Sequence, residues 1–170
     1  MAQTRWEKAR EVYTNLDPRV RLVVQIVGVL VGTIVVFKIV KATKQYQEDR
    51  ANRNETQATT NELQLLNQNP STKQKITSAQ ASAYANKLFA SMNGKGTYEE
   101  EIVGVFYKLQ NDADFLAVQK AFGTRTILSK TYFVDDFRGT MTQCLTDELD
   151  QEWLDKINKI LRTKKIKYRV

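Results

Sequence analysis

The residue types that carry most protein chemistry are scarce in this chain. It has no histidine in 170 residues. That removes the commonest general base, the Ser–His and Cys–His nucleophile pairs, and most zinc sites. The one cysteine, Cys144, cannot form an internal disulfide, so redox chemistry gives no compartment. Cys144 sits in an amphipathic stretch and reads as a small buried apolar residue rather than a nucleophile. The chain is therefore expected not to be an enzyme. The remaining candidates are charged groups. Carboxylates stand at Glu99–Glu101 and between Asp147 and Asp155, where they suit helix N-termini. A basic tail holds Lys159, Arg162, Lys164, Lys165, Lys167 and Arg169, and either solvates the chain end or contacts polyanions.

Charge is unevenly spread along the chain. Residues 1–53 carry a net +5, residues 54–158 a net −4, and residues 159–170 a net +6, giving +7 in total. An acidic body between two basic ends does not read as a uniformly basic nucleic-acid binder, so nucleic acid is not the expected partner. Basic segments beside a bilayer read more economically as contacts with anionic headgroups.

That bilayer is suggested by residues 20–40, VRLVVQIVGVLVGTIVVFKIV. Between Arg21 and Lys38 the run is uncharged over sixteen residues, and its only polar side chains are Gln25 and Thr33. A spanning helix needs about 20 residues, a length that snorkelling by Arg21 and Lys38 can supply. The run predicts one transmembrane helix and a single-pass protein of a cell envelope or a viral membrane. Gly28 and Gly32 form a GxxxG pair, the spacing through which two such helices would dimerise. Residues 1–19 form a basic arm with Trp6, Ala9, Val12, Tyr13 and Leu16 at helical spacing, suited to the membrane interface. Five cations flank each side of the run, so charge does not fix orientation. The short arm favours an inside N-terminus.

Residues 41–76 are polar and read as a stalk or linker, ended by Asn69-Pro70-Ser71. The rest, residues 77–170, has the periodicity of five short helices. The first begins near Thr77 or Ser78 with Ala81, Ala85, Leu88, Phe89 and Met92 on one stripe, and Asn93–Gly96 stops it. Thr97-x-x-Glu100 reads as a capping box opening the second. The third starts at Asn111 or Asp112 and buries Phe115, Val118 and Phe122. Residues 124–136 read as irregular with a short extended piece. The fourth helix lies within 135–147 and the fifth runs from Asp150 to Leu161. The expected class is all-α.

The residues Met92-Asn93-Gly94-Lys95-Gly96-Thr97, followed by Glu99-Glu100 and Ile102, resemble the annexin repeat, as does Leu145-Thr146-Asp147-Glu148-Leu149. The resemblance covers one repeat. It implies a five-helix domain whose M-x-G-x-G-T loop and one carboxylate hold calcium that bridges to phospholipid. Its ligands here would be the carbonyls of Met92, Gly94 and Gly96 and the side chain of Glu148. Calcium takes six to eight oxygens, which such a loop could converge. The spacing departs from the family, because Glu148 lies 54 residues after Gly94, about a dozen more than usual. Asp136, 42 residues on, has the usual separation in a less suitable context. The same loop is also explained as a helix stop and start with no metal.

Two functions follow as expectations. One is a non-enzymatic membrane protein that presents a helical scaffolding domain to the bilayer or to an unidentified protein partner, with no cofactor. The other is a calcium-dependent lipid-binding module. A nucleic-acid-binding tail ranks behind both.

Overall fold

The computed structural model describes residues 13–14, 17–93, 96–128 and 136–170, and of residues 18–37 the backbone alone. Six helices and a hairpin follow one another among the described residues: α1 (Pro18–Gln68), α2 (Ser78–Met92), α3 (Glu99–Phe106), α4 (Asp112–Phe122), β1 (Thr124–Ile127), β2 (Phe137–Thr140), α5 (Met141–Glu148) and α6 (Gln151–Thr163). The chain divides into two units, Met1–Asp49 and Arg50–Val170.

In the first unit, Pro18 opens α1, its ring presetting a helical φ where no N–H is needed. The expected membrane anchor is not upheld: among the described residues no helix is long and apolar enough to cross a membrane. The uncharged run falls short of the about 20 residues a span requires. Its helix also continues through Lys38, Lys41 and Lys44, all exposed, instead of closing at an interface. The single-pass localisation falls with it. The arm at residues 1–12 lies outside the described residues, as do the Arg21 side chain and any contact made at Gly28 and Gly32.

The second unit begins at Arg50, well before residue 77. Within residues 50–68, Leu63 is buried in the core, Leu66 packs against it, and Asn52 and Thr59 are buried too. The helix ends where an Asx turn begins, Asn69 Oδ1 accepting from Ser71 N–H at 3.0 Å.

Five helices, α2 to α6, build a mostly helical body that also carries one short pair of strands. β1 and β2 pair antiparallel, Thr124 opposite Thr140 and Ile127 opposite Phe137. β1 lies in the segment expected to be irregular, whereas β2 lies within 135–147, where the fourth helix is expected and begins only at Met141. Gly123 ends α4 at φ 60°, a left-handed backbone that suits glycine. Gly139 is dictated by space, since a Cβ there would lie 2.7 Å from Phe137 Cε1 and 2.9 Å from Gln143 Cβ.

The caps were mostly readable. Thr77 Oγ1 accepts from Gln80 N–H at 3.1 Å while Gln80 Oε1 accepts from Thr77 N–H at 2.7 Å. Asn111 Oδ1 accepts from Asp114 N–H at 2.9 Å, and Asp150 caps α6 through Trp153 N–H. α2 packs closely on α4 and on α3, and α3 on α6; α1 is in none of these closely packed pairs. Leu88, Met92, Ile102, Phe106, Phe115 and Leu161 fill the shared interior, each at 2% exposure or less. Fully burying one such side chain contributes about 1.5–3 kcal/mol.

One polar group fastens the segment after α1 to this core. Asp114, fully buried, accepts from Lys75 N–H at 2.7 Å and Ile76 N–H at 3.1 Å through Oδ1, and from Gln110 N–H at 2.9 Å through Oδ2. Arg125 does similar work at the hairpin. Its guanidinium stacks between the rings of Phe89 and Phe122, 5.0 Å from each centroid, while Nη2 donates to Asn86 Oδ1 at 2.8 Å.

Candidate functional site

Three elements meet around the loop after α2. Tyr98 N–H donates to Ser91 O at 3.0 Å, folding the loop back on the helix it leaves. The expected capping box does not form. Tyr98, not Thr97, is the N-cap of α3 and makes no side-chain cap bond. The Thr97 hydroxyl instead donates to Glu148 Oε2 at 2.9 Å, across 51 residues of sequence. Glu99, Glu100 and Glu101 occupy the first turn of α3, where negative charge complements the helix N-terminus.

The resemblance named Met92, Gly94, Gly96 and Glu148 as one set. Two of its parts are indeed neighbours, because the Thr97 contact puts Glu148, the last residue of α5, against the loop. Met92 is fully buried, Gly96 is exposed, and Gly94 lies outside the described residues. Among the described residues no three acidic, histidine or cysteine side chains gather in metal-binding proximity. Asp136 stands just before β2, not at a helix end.

Beside the loop, α2 and α3 flank an open depression of about 330 Å³ lined by Lys87, Glu100, Glu101, Gly104, Val105 and Lys108. Sequence periodicity gave no sign of it. Glu101 Oε2 accepts from Ser91 Oγ at 3.1 Å and lies 3.7 Å from Lys87 Nζ. Lys108 Nζ lies 5.4 Å from the centre of the Tyr84 ring. The floor is open at Gly104, where an added Cβ would meet no atom within 4 Å. A glycine inside a helix was the one signal that could have marked the place.

Cys144 is fully buried, and burial pushes its thiol up to about 12. A thiol so suppressed is a packing group.

The basic tail divides in two. Lys159, Arg162 and Lys165 are exposed. Lys164, Lys167 and Arg169 meet protein acceptors, although Lys167 and Arg169 are themselves exposed. Lys164 Nζ donates to Tyr107 O and Leu109 O, each at 2.7 Å, capping the carbonyl end of α3. Lys167 Nζ meets Glu62 Oε1 at 2.6 Å, and Arg169 Nη1 donates to Ile166 O.

No protein-family model, curated protein or solved structure matches the chain.

Proposed function

We propose that the chain is a non-enzymatic helical scaffold whose five-helix body binds a protein partner through the depression between α2 and α3. The observation that carries this reading is the open floor at Gly104, bordered by two lysines and two glutamates. Small-molecule pockets are mostly apolar and enclose their ligand. A shallow surface of mixed charge suits the polar rim of a protein interface better. A photo-crosslinker carried at position 108 tests this in extract of the source cells. Specific adducts should form with the wild-type protein and be lost in Gly104→Gln, which fills the floor and keeps the helix. Equal adducts in both, with circular dichroism unchanged, would overturn it.

A second reading, a calcium-dependent module that contacts anionic phospholipid, draws on the meeting of Thr97 and Glu148. A cation there would rely on one carboxylate and carbonyl oxygens of the loop. Its test is the thermal midpoint of the full chain in EDTA and in rising calcium. A midpoint that climbs with calcium, and no longer does so in Glu148→Ala, supports it, because binding to the native form alone stabilises that form. A flat response to several millimolar calcium rejects it.

A further inference from the structure

The seven residues after α6 are a separate structural device. Lys165 adopts φ 59°, with its N–H on Arg162 O and the next N–H, from Ile166, on Leu161 O, both at 2.9 Å. This is the Schellman arrangement, and it turns the chain sharply back across the body. Four of the five following residues then find an anchor. Ile166 is buried at 1% exposure. Lys167 N–H donates to Asp112 Oδ1 at 2.8 Å. The Tyr168 ring stacks on Phe115, 5.1 Å between centroids and 12° between planes. Val170 exchanges two hydrogen bonds with the Asn158 amide, at 3.0 and 2.8 Å.

Residues 50–68 of α1 lie on the same unit with a mostly polar face. Their apolar contribution is Leu63 and Leu66. Their described side-chain bonds to the body are Glu55 Oε1 with Gln119 Nε2 at 3.0 Å and Glu62 Oε1 with Lys167 Nζ at 2.6 Å. The buried Tyr168 hydroxyl couples electrostatically to the same Glu62 while meeting no partner within ordinary hydrogen-bond limits. The strap thus adds an ion pair, Glu62 with Lys167, to a segment that buries Asn52, Thr59 and Leu63 and bonds to Gln119.

We infer that residues 164–170 form a latch that docks residues 50–68 of α1 onto the five-helix body, and that opening it frees this segment while α2–α6 stay folded. Leu63 and Leu66 then become available to a partner in the open state. The scaffold reading proposed above is not required for this.

Hydrogen exchange of the full chain, read peptide by peptide by mass spectrometry, tests the latch. In Tyr168→Ala, amides within 50–68 should exchange roughly tenfold faster or more, while those of 85–92, 113–118 and 157–161 keep their protection, as separate cooperative units do. Lys167→Met and Glu62→Gln cut the same link from either side and leave the tyrosine packing intact, so they report even if Tyr168→Ala fails to fold. A latch predicts that both release 50–68 selectively and that the double variant releases it no further than either alone. Unchanged protection of 50–68 in both, or equal loss across all helices, overturns it.

Discussion

Lys165 is the described non-glycine residue held at positive φ. A side chain in the left-handed region costs roughly 1–2 kcal/mol, which glycine avoids. The Schellman bonds and buried Ile166 over-determine the turn, so the lysine is tolerated there. Lys165→Gly should therefore raise the free energy of unfolding by several tenths to about 1 kcal/mol, and Lys165→Val should lower it. Urea titration of both reads the sign directly. Asp114 lies at the opposite extreme. Its removal in Asp114→Ala would leave the N–H groups of Lys75, Ile76 and Gln110 without their acceptor. The Ile76 bond is the buried one of the three, and a buried unpaired group costs about 1–3 kcal/mol, so a loss of about that size is expected in the same titration. Gly104→Ala should go the other way. With nothing near the new methyl, the gain is the helix-propensity difference of about 1 kcal/mol.

At the scale of elements, the helices of the body were legible because their signals are local. Apolar spacing and the cap residues Thr77, Asn111 and Asp150 act within four residues of themselves. The failures are all long-range. Thr97 has the sequence of a cap, but its hydroxyl is taken by Glu148. Residues 50–68 look too polar to join a core, yet Leu63 is buried in it and Leu66 packs against it. The hairpin strands are four residues each, with a pattern that alternation cannot mark. In the basic tail, composition could not tell Lys164 and Lys167, which meet protein acceptors, from Lys159 and Arg162. The strap contact also has a pH signature. The hydrogen bond from Lys167 first, and then the nearby Tyr168 hydroxyl, hold the Glu62 pKa below its ordinary value of 4.5. A carboxylate with a depressed folded pKa contributes stability above its unfolded value and loses it as pH falls through the folded one. The advantage of wild type over Glu62→Gln should thus hold at neutral pH, begin to shrink below about pH 5, and vanish once the native carboxyl is protonated. It will be small, since both side chains of the pair are over one-third exposed. Midpoints of the two proteins across pH 2–7 would show whether the gap closes from that side.

For the whole molecule, the question is where the folding unit begins. Sequence composition put the boundary at residue 77, at the first periodic helix after a proline. Packing moves it to Arg50, because residues 50–76 contribute Leu63 and Ile76 to the core and present the N–H groups that Asp114 binds. These two boundaries predict different molecules. A fragment of residues 50–170 should unfold in one cooperative step, with a midpoint close to that of the same unit in the full chain. A fragment of residues 77–170 loses the burial of Leu63 and Ile76 and the partners of Gln119, Asp114 and Lys167. Burial of Leu63 and Ile76 alone is worth about 3–6 kcal/mol, comparable with the whole stability of a small domain. The shorter fragment should therefore melt far lower, more so than a chain with only residues 50–68 released, which keeps Ile76 and the Asp114 bonds in place. Equal midpoints for the two would mean that residues 50–76 only lie on the body without stabilising it. In that case the latch would hold a segment that the five helices do not need, and its opening would be governed by the strap alone.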